Sequence, residues 1–105
     1  PSGHTTGGWI AASILARALP ERASRIMQRA SFFGESRIVC GVHWKVDVQA
    51  GYMNGAAMFA ALQAQPWFVE KMAAVRAELQ SLQAHPTPPD ATTCAVEQKA
   101  ATNTY

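Results

Sequence analysis

The residues best placed to do chemistry lie in one stretch, "GESRIVCGVHWKVDVQAG". His43 and Asp47 are four residues apart, so they share a face if this stretch is helical, and the carboxylate can reach the imidazole. A carboxylate that accepts a hydrogen bond from one ring nitrogen fixes the tautomer and leaves the other nitrogen free to attack. Arg37 lies six residues before His43 and offers a planar guanidinium that matches phosphate oxygens. These residue types predict a histidine nucleophile that acts on a phosphate group.

A second candidate site is the opening turn, "PSGHTTGGW". Ser2 and Gly3 precede His4 at the start of an apolar stretch with helical spacing. The first N–H groups of a helix have no partner within the helix, and they bind anions readily. The turn therefore predicts an anion site with a histidine beside it.

Together the two stretches resemble a known enzyme superfamily, the one that unites class A bacterial acid phosphatases, lipid phosphate phosphatases and vanadium haloperoxidases. The resemblance is to its second and third signature motifs. The matching residues are Pro1, Ser2, Gly3 and His4 and, downstream, Ser36, Arg37, His43 and Asp47. The local sequence is most similar to the soluble class A non-specific acid phosphatases, and the likeness continues through "NGAAMFAALQAQPWF" to cover residues 1–83.

The resemblance implies a role for each motif residue. His43 would attack phosphorus to form a phosphohistidine, while Asp47 holds its ring. His4 would protonate the leaving alcohol and then deprotonate the attacking water. The phosphate oxygens would be bound by His4 and by three further groups, on Ser2, Gly3 and Arg37. The resemblance implies no metal ion, and phosphate or vanadate is the anion that would occupy the site.

The superfamily also carries a first motif, with a lysine and an arginine, upstream of the Pro-Ser-Gly-His turn. No residue precedes Pro1 in this sequence. We therefore expect the sequence to correspond to the C-terminal part of a longer phosphatase. The expected partners are the upstream half of the same domain, copies of this chain and phosphate monoester substrates, because half a domain exposes apolar faces.

The leading functional hypothesis is an acid phosphatase that hydrolyses phosphate monoesters with broad specificity, with phosphoryl transfer to alcohols as an additional activity. Two alternatives stay open. A vanadate-dependent haloperoxidase would use the same pocket. A non-catalytic anion-binding or interaction fragment would follow from the absence of the upstream lysine and arginine.

Each site residue also has a purely structural interpretation. Ser2 can be a helix N-cap, and His43 with Asp47 can be an ordinary ion pair. Arg37 can be a solvated charge, although its apolar neighbours make an unpaired charge costly. A zinc site built on Cys40 and the two histidines lacks a dependable fourth ligand. The joint spacing of the two motifs favours the phosphate site over these alternatives.

The rest of the pattern predicts an all-α fold, a helical bundle of the acid phosphatase and vanadium haloperoxidase type. Apolar residues recur at helical spacing on both sides of Pro20, from Trp44 to Pro66, and beyond Pro66. "SRIVCGV" fits a strand or a buried helix, and its helical flanks favour helix. Gly51 and Gly55 are four apart, which lets another backbone come close. The predicted buried stripe of the last helix is Phe68, Met72, Val75 and Leu79.

Two parts are predicted within the chain. Residues 1–83 form the C-terminal catalytic part of an incomplete phosphatase domain, and residues 84–105 form a polar tail that contains prolines. The tail is expected to be ordered only where something holds it. The three tryptophans are most simply core residues, although Trp44 beside His43 is also suited to form a wall of the pocket.

Composition limits the classes of function. The chain has 105 residues, 49% of them hydrophobic, which suits one globular unit, and its net charge of +2 is scattered, which argues against nucleic acid as a partner. No apolar run is long enough to span a bilayer, so no membrane partner is expected. Cys40 and Cys94 permit one disulfide that spacing cannot establish, and Cys40 also fits as a small buried hydrophobe. The resemblance implies a periplasmic or secreted location, where such a bridge would persist.

Overall fold

The structure is a computed structural model that describes residues 1–102. Its helices in chain order are α1 (Gly3–Ala18), α2 (Ala23–Val39), α3 (Lys45–Gln63), α4 (Pro66–Ala84) and α5 (Ala91–Thr102), with a short 3₁₀ turn at Pro20–Arg22 between α1 and α2. No β-strand occurs in residues 1–102, and the predicted all-α fold is confirmed. Residues 103–105, the end of the predicted tail, lie outside the described residues.

Helix α1 lies at the centre and packs against α2, α3 and α4. Its N-cap is Ser2, whose side-chain oxygen accepts a hydrogen bond from the Thr5 N–H at 3.2 Å and so caps the first turn. It ends at Ala18 with Leu19 as its C-cap, because Pro20 starts the next turn more readily than it continues a helix. The Pro20 boundary predicted from the sequence is therefore present.

The glycines of α3 allow it to lie against α1. A Cβ atom on Gly51 would be 2.8 Å from the Thr5 Cβ and 3.0 Å from the Ser2 carbonyl oxygen. A Cβ atom on Gly55 would be 2.9 Å from the Thr6 carbonyl oxygen. Both glycines are buried. The predicted close backbone approach at Gly51 and Gly55 is confirmed, and the approaching backbone is the first turn of α1.

The main apolar core lies where α4 crosses the C-terminal ends of α1 and α3. Its buried members are Ala18, Phe68 and Met72. The partly buried residues packed against them are Ile14, Phe59, Leu62, Val75 and Leu79. All four residues of the stripe predicted for α4 therefore face this core.

The helix predicted through "SRIVCGV" is only half correct, because α2 ends at Val39. Gly41 adopts φ of 71°, a left-handed conformation that glycine reaches without steric cost. Its N–H donates to the Ile38 carbonyl at 2.9 Å, and the Val42 N–H donates to the Arg37 carbonyl at 3.1 Å. These two bonds form a Schellman motif, which stops a helix and turns the chain.

Two of the three tryptophans are not core residues. Trp44 is 80% exposed and Trp67 is 57% exposed. Trp44 is the N-cap of α3, at the exposed entry to the helix, and Trp67 lies in the first turn of α4 beside the buried Phe68. Trp9 is partly buried and packs on the Tyr52 ring, with 4.7 Å between ring centroids.

Part of the predicted tail is helical. Asp90 caps α5, since its carboxylate accepts hydrogen bonds from the Thr93 N–H at 2.7 Å and the Thr93 hydroxyl at 2.9 Å. Cys40 and Cys94 are free and exposed, so the disulfide is not formed here and Cys40 is not a buried hydrophobe. Cys40 is the C-cap of α2, and that position faces solvent.

The bundle is open. Its radius of gyration is 15.2 Å, compared with about 13 Å for a compact domain of this length. Its accessible surface is 7398 Å², compared with roughly 5,700 Å² for a compact protein of the same mass. None of the helices in residues 1–102 combines the length and the apolar character that crossing a bilayer requires.

Candidate active site

The carboxylate of Asp47 lies at the N-terminus of α3 and makes two contacts through one oxygen. Its Oδ2 accepts a hydrogen bond from the Trp44 N–H at 3.0 Å and lies 3.3 Å from the His43 Nδ1. The two side chains meet as predicted, but not as neighbours on one helical face. His43 precedes α3, which begins at Lys45, so the predicted helical geometry is wrong. The contact forms because Asp47 caps the first turn of α3 and the chain brings His43 back to it.

The main chain of the preceding turn fixes the position of His43. The Schellman turn directs the chain back over the end of α2, where the His43 N–H donates to the Arg37 carbonyl at 3.2 Å. Two motif residues that are six positions apart in sequence are thereby joined directly through the backbone. His43, the candidate nucleophile, is thus held at two points. Its backbone N–H is bound by the Arg37 carbonyl, and its imidazole ring contacts the Asp47 carboxylate.

The guanidinium of Arg37 lies along its own helix. Its Cζ is 5.5 Å from the centroid of the Phe33 ring, and its Nε donates to the Ser36 hydroxyl at 3.3 Å. The Ser36 hydroxyl in turn donates to the Phe33 carbonyl at 2.6 Å. These contacts hold the guanidinium at the end of α2, beside the turn that carries His43.

The two motif-bearing helix N-termini are joined by one backbone hydrogen bond. The Ser2 N–H donates to the Asp47 carbonyl at 2.9 Å. The Ser2 hydroxyl is fully buried and accepts from both the N–H and the hydroxyl of Thr5. Ser2 therefore fixes the first turn of α1, and a direct contact of its hydroxyl with phosphate stays a prediction.

Gly3 and His4 are exposed in the first turn of α1. The space around Gly3 is open, since an added Cβ atom would meet no other group within 4 Å. Gly3 and His4 therefore lie at an accessible surface, at the end of α1 that Ser2 ties to Asp47, whereas the N–H groups of Thr5 and Thr6 already donate to Ser2. The arrangement provides backbone donors, the positive end of a helix dipole and an imidazole for an anion.

Sequence reasoning missed Thr5 and Thr6, which lock this geometry. The Thr6 hydroxyl donates to the Ser2 carbonyl at 3.0 Å and to the Gly51 carbonyl at 3.3 Å. Both threonines are buried. The sequence feature that could have revealed them is a pair of threonines directly after the Pro-Ser-Gly-His motif. Threonine hydroxyls inside a helix bond to nearby backbone or to a neighbouring helix.

A pH titration tests the carboxylate of Asp47. The hydrogen bond from the Trp44 N–H, followed by the one with His43, lowers the pKa of Asp47 below its ordinary 3.8. A lowered pKa in the folded state adds stability above pH 3.8, and this stability is lost as the pH falls through the folded value. We expect Asp47→Asn to be less stable than the parent at neutral pH, with a smaller loss on acidification.

The measurement is urea unfolding at a series of pH values from about 7 down to about 2.5. Asparagine keeps an oxygen for the Trp44 N–H, so the comparison isolates the charge. Parallel loss of stability in both proteins would contradict the assigned contacts of Asp47.

A metal site is a separate question. Within residues 1–102, no group of three or more His, Cys, Asp or Glu side chains is arranged to hold a metal ion. The candidate residues at this end of the bundle carry two imidazoles, one guanidinium and backbone N–H groups, which are donors suited to an oxyanion, and one carboxylate, which contacts the His43 ring.

Comparisons with known proteins agree with the motif assignment. Residues 1–71 match the PAP2 superfamily. The chain is 47% identical over 100 residues to an acid phosphatase of Zymomonas mobilis subsp. mobilis. The aligned residues make up 95% of this chain and 38% of that protein. The chain is 49% identical over 79 residues to a non-specific acid phosphatase of Salmonella typhimurium, covering 75% of this chain and 32% of the relative.

A more distant relative is a non-specific acid phosphatase of Providencia stuartii, 35% identical over 82 residues, with 78% of this chain and 33% of the relative covered. The chain thus spans about a third of the length of these curated relatives, in their C-terminal part. With the family match over most of its length and with both motifs at one end of the bundle, the chain belongs to the PAP2 superfamily.

Proposed function

We propose that this chain carries the nucleophile and the acid of an acid phosphatase that hydrolyses phosphate monoesters through a phosphohistidine. The observation that carries the proposal is the Ser2 N–H to Asp47 carbonyl hydrogen bond of 2.9 Å, because it ties the anion-binding turn of α1 to the turn that orients His43. The names of the relatives support phosphate monoester chemistry.

The first step forms a bond between the His43 Nε2 and phosphorus while the ester P–O bond breaks. Asp47 holds the ring at Nδ1, which leaves the Nε2 lone pair for attack and stabilises the positive charge that develops on the ring. His4 gives its proton to the departing alkoxide, so that the alcohol leaves neutral.

The second step releases the phosphate. His4 takes a proton from water, the water oxygen bonds to phosphorus, and the P–N bond to His43 breaks. An alcohol in place of water would give phosphotransferase activity by the same step. Arg37 and the Gly3 N–H bind the equatorial oxygens in both steps.

The proposed partner follows from the chain's span of about a third of its relatives. In the superfamily pattern a lysine and an arginine upstream of the Ser2 turn bind the same phosphate, and we propose that an upstream half of the domain supplies them. Loss of one preorganised oxyanion contact typically costs about 3 kcal/mol of barrier. A non-catalytic anion-binding role for the chain by itself is therefore the second candidate, favoured by its open bundle and by its span of about a third of its relatives.

We also propose a periplasmic or secreted location, in line with the non-specific acid phosphatases among the relatives. A vanadate-dependent haloperoxidase is the competing enzyme, and the relatives' names favour the phosphatase. Oxidation of bromide by peroxide in the presence of vanadate, without phosphate release from monoesters, would decide for the haloperoxidase.

A binding experiment tests the site without requiring turnover. We expect titration of the isotope-labelled chain with inorganic phosphate, and then with orthovanadate, to shift the NMR signals of the His4 ring, the His43 ring and the Gly3 amide along one binding curve. His85, in the loop after α4, is the matched control and should not shift. Arg37→Ala should weaken binding by about tenfold or more, since it removes a charge-assisted contact.

Shifts of the His85 ring that equal those of His4 would show non-specific binding and contradict the proposal. The absence of any shift at His43 would contradict its place in the anion site.

A further inference from the structure

The ring of Phe33 in α2 packs on a glycine of α1. A Cβ atom added to Gly8 would lie 2.7 Å from the Phe33 Cδ1 and 3.1 Å from its Cε1. Carbon atoms in ordinary contact are about 3.5–4.0 Å apart, so glycine at position 8 is what leaves room for the ring. The neighbouring Gly7 differs, since a Cβ atom added there would meet no other group within 4 Å.

The same ring contacts the guanidinium of Arg37. The Arg37 Cζ lies 5.5 Å from the ring centroid, within the roughly 6 Å over which an aromatic face attracts a cation. Phe33 also acts through its main chain. Its carbonyl accepts the Ser36 hydroxyl at 2.6 Å, and the Ser36 oxygen accepts the Arg37 Nε–H at 3.3 Å. The guanidinium is therefore restrained by the ring of Phe33 directly and by its carbonyl through Ser36.

This pair is better fixed than an ordinary pair on a helix surface. Exposed pairs at this spacing are weak, because both side chains change rotamer freely. Here Phe33 and Arg37 are both partly buried, and the ring rests on the backbone of α1 at Gly8. A further neighbour of the guanidinium is the Cys40 Sγ, 4.0 Å from Nη2, but sulfur is a weak acceptor. Phe33 is thus the stronger restraint on the guanidinium.

The register of α1 and α2 places Arg37 beside the anion-binding turn. The two helices pack against each other and are joined only by residues 19–22, so they run antiparallel. From the Gly8–Phe33 contact, one helical turn towards the N-terminus of α1 leads to His4. One turn in the same direction along α2 leads to Arg37. His4 and Arg37 therefore lie at the same level of the bundle, on the two helices that meet at the Phe33 ring.

We propose that Phe33 is a positioning residue for phosphate binding. Its ring, packed on Gly8, holds the Arg37 guanidinium at the end of α1 that carries His4. The inference rests on the proposed function, because it requires Arg37 to bind phosphate. A guanidinium that is already restrained loses less side-chain entropy on binding an anion than one that moves freely. The ring itself does not touch phosphate, so it acts on affinity only through Arg37.

A double-mutant cycle tests the proposal. We expect Phe33→Leu to weaken the binding of inorganic phosphate to the 105-residue chain about three- to tenfold, because leucine keeps apolar bulk but has no aromatic face. In a chain that carries Arg37→Ala, Phe33→Leu should weaken binding no further, because the group that it positions is gone. Phe33→Tyr keeps the aromatic face and should bind as the parent does. The NMR shift of the Gly3 amide measures the affinity.

The chain offers two matched controls. Phe32 is also a partly buried phenylalanine of α2, but it is five positions from Arg37 and so lies on another side of the helix. Phe32→Leu should leave phosphate affinity unchanged. Gly8→Ala displaces the Phe33 ring and should weaken phosphate binding, whereas Gly7→Ala adds the same methyl group without a clash and should not.

A second measurement reports the restraint on Arg37 without phosphate. Nitrogen-15 relaxation of the Arg37 Nε should show a restricted side chain in the parent and in Phe33→Tyr, and a mobile one in Phe33→Leu. The exposed Arg22 and Arg76 provide the reference for a mobile guanidinium. Far-ultraviolet circular dichroism of each variant separates loss of the restraint from loss of the helices.

The possible failures are distinguishable. If Arg37→Ala weakens binding but Phe33→Leu does so no more than Phe32→Leu, the phosphate site stands and the role of Phe33 is wrong. Additive effects of Phe33→Leu and Arg37→Ala, or an Arg37 Nε that is equally mobile in the parent and in Phe33→Leu, would lead to the same conclusion. If Arg37→Ala binds phosphate as tightly as the parent, the proposed phosphate contact of Arg37 fails, and this inference fails with it.

Discussion

Replacing His43 by alanine is expected to lower phosphate release from a chromogenic aryl monoester by at least about 1,000-fold, because it removes the side chain that we propose forms the bond to phosphorus. The measurement compares this chain alone with a chimera in which the N-terminal part of the Zymomonas mobilis relative precedes it. Quenching with alkaline denaturant during turnover should trap a phosphohistidine at His43 in the active protein and leave none in the variant, because the P–N bond survives in base and is hydrolysed in acid.

The control is His85→Ala, which removes another histidine outside the site and should leave the rate unchanged. His4 is distinguished from His43 by the leaving group. A nitrophenolate leaves without a proton, so His4→Ala should cost much less on a nitrophenyl ester than on an alkyl ester, where general acid catalysis contributes about 10²- to 10⁴-fold. His43→Ala should cost a similar factor on both esters, and undiminished release without His43 would refute the nucleophile assignment.

Substituting alanine for Gly51 is expected to destabilise the fold by about 2 kcal/mol or more, because the new Cβ overlaps the first turn of α1. That Cβ would lie 2.8 Å from the Thr5 Cβ and 3.0 Å from the Ser2 carbonyl oxygen, and backbone cannot move aside as a flexible side chain can. The expected drop in Tm is on the order of 10 °C for a chain of this size. Phosphate binding should weaken as well, since the clash separates Ser2 from Asp47.

Gly7→Ala is the matched control for Gly51→Ala. Gly7 lies inside α1, and an added Cβ atom there would meet no other group within 4 Å. Alanine at such a position should raise stability by about 0.5–1 kcal/mol through its helix propensity. Equal destabilisation by the two substitutions would mean that helix propensity, and not the α1–α3 contact, decides the effect.

Periodic features of the fold were predictable from the sequence. The stripe of Phe68, Met72, Val75 and Leu79 faces the core as its spacing predicts, and the boundary at Pro20 follows from proline chemistry. The pairing of His43 with Asp47 was also predicted correctly as a contact. These features depend on local geometry, which a short stretch of sequence determines by itself.

The features that were predicted wrongly or missed depend on turn and cap conformations and on contacts between helices, which apolar spacing does not encode. The turn between α2 and α3 follows from the positive φ of Gly41, and helical periodicity on both sides of it hides the break. Trp44 is apolar in type but occupies an N-cap, so it is exposed. The buried hydroxyls of Thr5 and Thr6 become informative only once α3 is known to lie against α1.

The Asp47 Oδ2 atom both accepts the Trp44 N–H at the start of α3 and contacts the His43 ring, so the orientation of the ring depends on the first turn of α3 being formed. Helix ends fray far more often than whole domains unfold. Each time this turn opens, the His43 ring loses its contact with the Asp47 carboxylate and is free to rotate. In the proposed mechanism, the fraction of time for which His43 is oriented for attack therefore depends on how often this single helical turn opens, and a ligand that contacts both α1 and α3 would keep the turn closed.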